Sequence, residues 1–144
     1  MEVQISLDPP AEHAARLSRG IMEFNAASIP DLERVEDEIR FHVLATDDAG
    51  ELAGGLRGTC YWNTLHIELL WLSEDARALR LGSRIVEEAE RFARSEGCEK
   101  AFVETTSWQA RPFYEKAGYV LMATLEGRPK GHSTHYLMKE LSAV

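Results

Sequence analysis

Residues 65–96, LHIELLWLSEDARALRLGSRIVEEAERFARSE, change their period once, and that change limits the folds open to the chain. From 65 to 72 the run is apolar enough for a buried strand. From about Leu79 the pattern turns helical. Leu81, Ile85, Val86, Ala89, Phe92 and Ala93 fall on one face, and Glu87, Glu88, Glu90, Arg91 and Arg94 on the other. Between the two lies a turn carrying Arg77, Arg80 and Gly82. Strand, tight turn and helix start together make an anion site. The first helical turn has N–H groups with no partner and the positive end of the dipole, and both favour phosphate.

Composition narrows the partners. With 144 residues the chain reads as one domain, 1–144, large enough for a full core. At 44% hydrophobic and 28% charged residues it reads as soluble and globular. No run approaches the ~20 apolar residues of a membrane span. An acidic, alternating N-terminal stretch is unlike a signal peptide. Cys60 and Cys98 lie far apart without a CxxC, which offers neither a metal framework nor a disulfide scaffold. A cytoplasmic protein is therefore expected. The net charge of −8 argues against a nucleic-acid partner. It suits a cationic acceptor, and it is equally a plain route to solubility.

Along the chain, the alternation of residues 3–7 predicts a short strand. Asp8 is placed to cap a helix opened by Pro9 and Pro10, with Ala14, Leu17, Ile21 and Phe24 on its apolar face. The charged stretch 31–40 follows, with Asp31, Glu33, Glu36, Asp37 and Glu38 able to attract an amine or simply to be solvated. Residues 39–46 and 51–61 read as a hairpin about Asp47–Gly50, and Gly54 and Gly55 suggest a bulge or close backbone approach. After the central strand and helix, Gly97 closes the helix. Then come a strand at 101–105, a short helix opened by Pro112 and ended by Gly118, and two final strands at 119–125 and 134–141.

Two motifs resemble those of the GNAT acyl-CoA N-acyltransferases. Arg77-Ala78-Leu79-Arg80-Leu81-Gly82 is similar to their pyrophosphate loop, R-x-x-G-x-G/A, with Arg80 in place of the first glycine. Phe113-Tyr114-Glu115-Lys116-Ala117-Gly118-Tyr119 resembles their late helix, F/L-Y-E-K-x-G-F/Y. The resemblance implies a mixed α/β GNAT-like domain over essentially the whole chain. That fold has a central, mostly antiparallel sheet of about six to seven strands, about four helices and a splayed central strand. It also implies acetyl-CoA as co-substrate and an amine as acceptor, with a homodimer a fair expectation.

Residue by residue, the resemblance gives the pyrophosphate to the loop Arg77, Ala78, Leu79, Arg80, Leu81, Gly82 and Ser83. It gives the pantetheine arm to the splayed strand near Leu70, Trp71 and Leu72. A cofactor contact falls to Ser107, where the family often has asparagine. Tyr114 is the candidate general acid, because a phenol with a pKa near ~10 is protonated at neutral pH and can protonate a departing thiolate.

For the base, Glu68 and His66 share one strand face, and either, or a water, could take the amine's proton. A carboxylate inside so apolar a run is costly unless paired or functional. His132 and His135, beside Arg128 and Lys130, border the expected acceptor site; H-x-x-H without a third ligand does not make a metal site. The expected function is N-acetyl transfer by direct attack of a bound amine on the thioester. The rival is a non-catalytic acyl-CoA-binding or sensing module whose loop is degenerate at Arg80.

Overall fold

The computed structural model describes residues 1–77 and 80–141. These form two compact units, the second beginning at Glu38. The first holds one helix, α1 (Ala11–Ser28), and a single 3-10 turn at Val35–Asp37. Residues 3–7 form no strand, and Val3, Ile5 and Leu7 are almost fully exposed. Alternation makes a strand only where a ladder partner is present, and among the described residues none pairs with this stretch. Asp8 does not cap α1. The residue before the helix is Pro10, with no side-chain cap, and its carbonyl accepts the His13 amide at 2.9 Å. Leu17, Ile21 and Phe24 lie on one face as their spacing requires, yet no residue of α1 is buried.

The second unit is a six-stranded sheet in the order β1-β2-β3-β4-β6-β5. Its strands are β1 (Ile39–Thr46), β2 (Leu52–Tyr61), β3 (Thr64–Leu72), β4 (Lys100–Thr106), β5 (Val120–Glu126) and β6 (Ser133–Glu140). Every neighbouring pair is antiparallel except β3 and β4. A parallel pair needs a crossover, which α2 (Leu81–Ser95) supplies. The short α3 (Arg111–Lys116) sits between β4 and β5. With six strands and three α-helices among the described residues, the count is one helix short of expectation. The charged stretch 31–40 yields only the 3-10 turn and the start of β1.

The core lies between α2 and one face of the sheet. Leu56, Leu65, Ile67, Ile85, Val86, Ala89, Ala93, Ala101, Val103 and Leu137 are buried together. Each large aliphatic side chain buried in this way contributes about 1.5–3 kcal/mol. Glu90 belongs to this buried face and not to the solvent face expected for it, being only 3% exposed. Its carboxylate accepts the Tyr119 hydroxyl at 2.9 Å and the Lys139 ammonium at 2.9 Å. A buried charge is tolerated when paired and hydrogen-bonded in this way.

Gly54 does mark a close approach: a Cβ there would come within 3.0 Å of the Trp71 carbonyl oxygen on the neighbouring strand. Among the described residues no helix is long and apolar enough to cross a membrane.

Candidate active site

The site begins with a fault in β3. Against β2, Arg57 pairs with Leu69 and Gly58 with Ile67, so Glu68 is an extra residue with no partner of its own. Such a bulge switches which face each later side chain takes. Before it, Leu65 and Ile67 point into the core; after it, Leu70 and Leu72 do. Leu69 and Trp71 are consequently about half exposed, so the central strand is not buried along its length.

The same place ends the parallel ladder. β3 and β4 pair from Thr64–Lys100 to Ile67–Val103 and then part. Glu68 and Glu104 are the first residues beyond the last pair, one on each strand. A cleft of ≈ 200 Å³ opens between them, lined by Leu70, Thr105, Gln109 and Tyr114 among others. This is the expected splay, and it brings both proposed catalytic residues, Glu68 and Tyr114, to one cavity.

Glu68 is held firmly. Arg57 donates Nε–H to one carboxylate oxygen at 2.7 Å, and the Thr59 hydroxyl donates to the other. The Thr59 bond is the main reason its carboxyl titrates below the ordinary carboxylate range, with the Arg57 guanidinium and the nearby His66 adding to it. Glu68 is therefore ionised at neutral pH and only weakly basic. His66 shares its face and stacks on Phe102, ring centroids 4.2 Å apart.

Tyr114 comes from α3. Pro112 lies in that helix's first turn, and Gly118, at φ 100°, ends it. The Tyr114 ring meets Phe113 and Tyr119 edge to face at 5.1 and 5.6 Å. Burial pushes its phenol up to about 12.

The loop side is set by α2. Its first intrahelical bond runs from the Arg84 amide to the Arg80 carbonyl at 3.3 Å, so the amides of Leu81, Gly82 and Ser83 have no partner within the helix. A Cβ on Gly82 would come within 3.2 Å of both Leu72 and Phe113. The missing side chain lets the helix start pack tightly against the end of β3 and against α3, which carries Tyr114. Arg80 takes φ 55°, ψ 20°, the left-handed conformation that costs a side-chain-bearing residue and not glycine. The Arg77 backbone N–H donates to the Glu74 carbonyl at 3.4 Å, and the expected contacts at Ala78 and Leu79 lie outside the described residues.

Ser107 is oriented toward the β5–β6 connection. Its backbone N–H donates to the Ser133 carbonyl at 2.9 Å, and its hydroxyl lies 3.3 Å from His132 Nδ1. His135 instead meets the Thr124 hydroxyl at 2.9 Å. Among the described residues no three His, Cys, Asp or Glu side chains are placed to share a metal ion. Cys60 and Cys98 are buried.

Glu104 and Gln109 are cleft residues the sequence reading missed. Glu104 becomes visible only once the ladder register is known. Gln109 caps the end of β4, its amide oxygen accepting the Thr106 N–H at 3.2 Å.

Known proteins resemble this chain in sequence and in fold. The model of the acetyltransferase (GNAT) family matches residues 10–119. A blasticidin-S acetyltransferase of Streptomyces morookaense is 47% identical over 98 residues, which cover 67% of this chain and 72% of that protein. The crystal structure of an acetyltransferase from Bacillus cereus superposes with a TM-score of 0.82 at 28% identity, covering 95% of this chain and 97% of its own. An aminoglycoside 6'-N-acetyltransferase crystallised with coenzyme A shares the fold at a TM-score of 0.64 and 16% identity, over 93% of this chain and 96% of that one.

Proposed function

Because the chain belongs to the GNAT family and is an acetyltransferase, we propose that it moves an acetyl group from acetyl-CoA to a primary amine of a small molecule, both substrates being bound at once. The observation that carries this reading is the parting of β3 and β4 at Glu68, which leaves strand backbone facing a cleft lined by Tyr114. An extended pantetheine arm fits along such a backbone as an added strand would. The amides of Leu81, Gly82 and Ser83, which have no partner within the helix, suit the pyrophosphate. A neighbour crystallised with coenzyme A and a relative named for blasticidin S support the donor and a small-molecule acceptor.

The chemistry then runs as follows. The amine loses a proton to water held at Glu68 and attacks the thioester carbonyl carbon. As the carbon–sulfur bond breaks, the thiolate takes the Tyr114 proton, which solvent replaces. Neither cysteine is needed, and no acyl-enzyme forms. The non-catalytic rival drew its support from Arg80 and from Ser107 in place of the family's asparagine; membership of an acetyltransferase family weighs against it.

Calorimetric titration with acetyl-CoA, followed by an amine screen for thiol release, tests the reading. Micromolar binding with release is expected, and no binding would end it. Two variants refine it. Glu68→Gln should lower kcat/KM about tenfold or more and remove the acid limb of the pH–rate profile, which in the wild type lies below the ordinary carboxylate value of 4.5. An unaltered profile would transfer the role to His66 or water alone. Arg80→Gly should raise stability to urea by about 1 kcal/mol, by relieving the left-handed strain, and weaken acetyl-CoA binding several-fold. Tighter binding would make the arginine an obstruction.

A further inference from the structure

The sheet carries a second cavity that shares Glu68 with the cleft. It measures ≈ 390 Å³, and its walls include Tyr61, Trp62, His66, Phe102 and the carboxylates of Glu38 and Glu68. The aromatic rings are ordered in two stacked pairs. Tyr61 and Trp62 lie 4.7 Å apart at 22°, and His66 and Phe102 lie 4.2 Å apart at 9°. Flat faces with two carboxylates form a surface that recognises a flat cation.

The turn supplying Trp62 adds an independent observation. Tyr61 pairs with Thr64, so Trp62 and Asn63 alone make the hairpin loop between β2 and β3, with φ of 47° and 52°. Two-residue turns of this kind favour Asn, Asp or Gly, and a bulky indole there is strained. Strain of this sort collects where a side chain is needed in one place.

We propose that this cavity binds the acceptor, and that the acceptor is a planar cation, an aryl amidine or guanidine, carrying the primary amine. The plane lies against the aromatic faces, the fixed positive charge meets Glu38, and the amine is presented at Glu68, where the donor cleft begins. This rests on the transferase reading above and names its acceptor class. Both carboxylates are already paired with arginines that are themselves well exposed, Glu38 with Arg40 at 3.2 Å and Glu68 with Arg57 at 2.7 Å. The Arg40 side chain is 77% exposed and its ion pair to Glu38 is weak, so an arriving cation can take that carboxylate over, while Glu68 keeps Arg57 and Thr59.

The test is calorimetry with 4-(aminomethyl)benzamidine and with 4-(aminomethyl)benzoate, which matches it in shape but carries a negative charge. The benzamidine should bind at least about tenfold more tightly, and Trp62→Asn should cost it about tenfold in affinity. The melting temperature of Trp62→Asn should hold or rise, because asparagine suits the turn. If that variant melts lower, Glu38→Gln decides in its place, with a several-fold loss of benzamidine affinity expected.

Equal binding of the two probes, no binding of the benzamidine, or unchanged affinity in the deciding variant would overturn the proposal. Acetyl-CoA is titrated into the same samples. Acetyl-CoA binding without probe binding refutes only the acceptor class. Probe binding without acetyl-CoA binding upholds the cavity and refutes the transferase reading beneath it.

Discussion

Replacing Tyr114 by phenylalanine is expected to lower kcat about a hundredfold while leaving acetyl-CoA affinity nearly unchanged. The residue is 4% exposed and its ring is wedged between Phe113 and Tyr119, so phenylalanine keeps the ring packing and removes only the hydroxyl, the proton donor. Burial, by penalising the phenolate, pushes the group up from 10.0 to about 12, so it stays a donor across the working pH range. The loss should therefore be equal at pH 7 and pH 9.

The same shift has a consequence for stability, and its sign is fixed. Above pH 10.0 the unfolded chain releases this proton while the folded chain keeps it until about 12, so stability falls across that window and is untouched at neutral pH. Stopped-flow turnover with calorimetry checks the first claim, and urea titrations at pH 7 and pH 10.5 check the second. Wild-type kcat in the variant would remove Tyr114 from the mechanism.

Glu90→Ala should cost about 3 kcal/mol of folding stability, a large share of what a domain of this size has. The carboxylate ties three parts of the second unit together. It sits on α2, accepts from Tyr119 just before β5, and accepts from Lys139 on β6. Lys139 also donates to the Ala117 carbonyl at the end of α3. Truncation leaves an ammonium and a hydroxyl facing a buried gap. Glu90→Gln, which keeps an acceptor but not the charge, should cost about half as much. Two-state urea unfolding measures both. A loss below about 1 kcal/mol for the alanine variant would mean that the network contributes little.

How far the sequence revealed this protein depended on the kind of signal. The boundaries of β1 and α2 were legible because burial on one face writes a period into the sequence. The two motifs led to Tyr114 and Gly82 for the same reason: each needs a fixed local geometry. Residues 3–7 misled because alternation says what a strand would look like and nothing about a partner. Glu90 was misread through its charge, although its position held the clue. It lies four residues after Val86 and three before Ala93, on the buried stripe itself. The bulge at Glu68 left no trace, since the residues after it are apolar on both faces and a switch of parity changes nothing visible. Trp62, just past the strand read at 51–61, drew no notice; its positive φ exists only in three dimensions.

Under the proposed function, the single extra residue in β3 divides labour along one strand. On one side of Glu68 the recognising groups are backbone amides and carbonyls, which point substitutions cannot readily remove. On the other they are side chains at a hairpin tip, which substitutions change freely. Descendants of this sequence can thus exchange the molecule they modify, residue by residue, while the source of the transferred group stays the same.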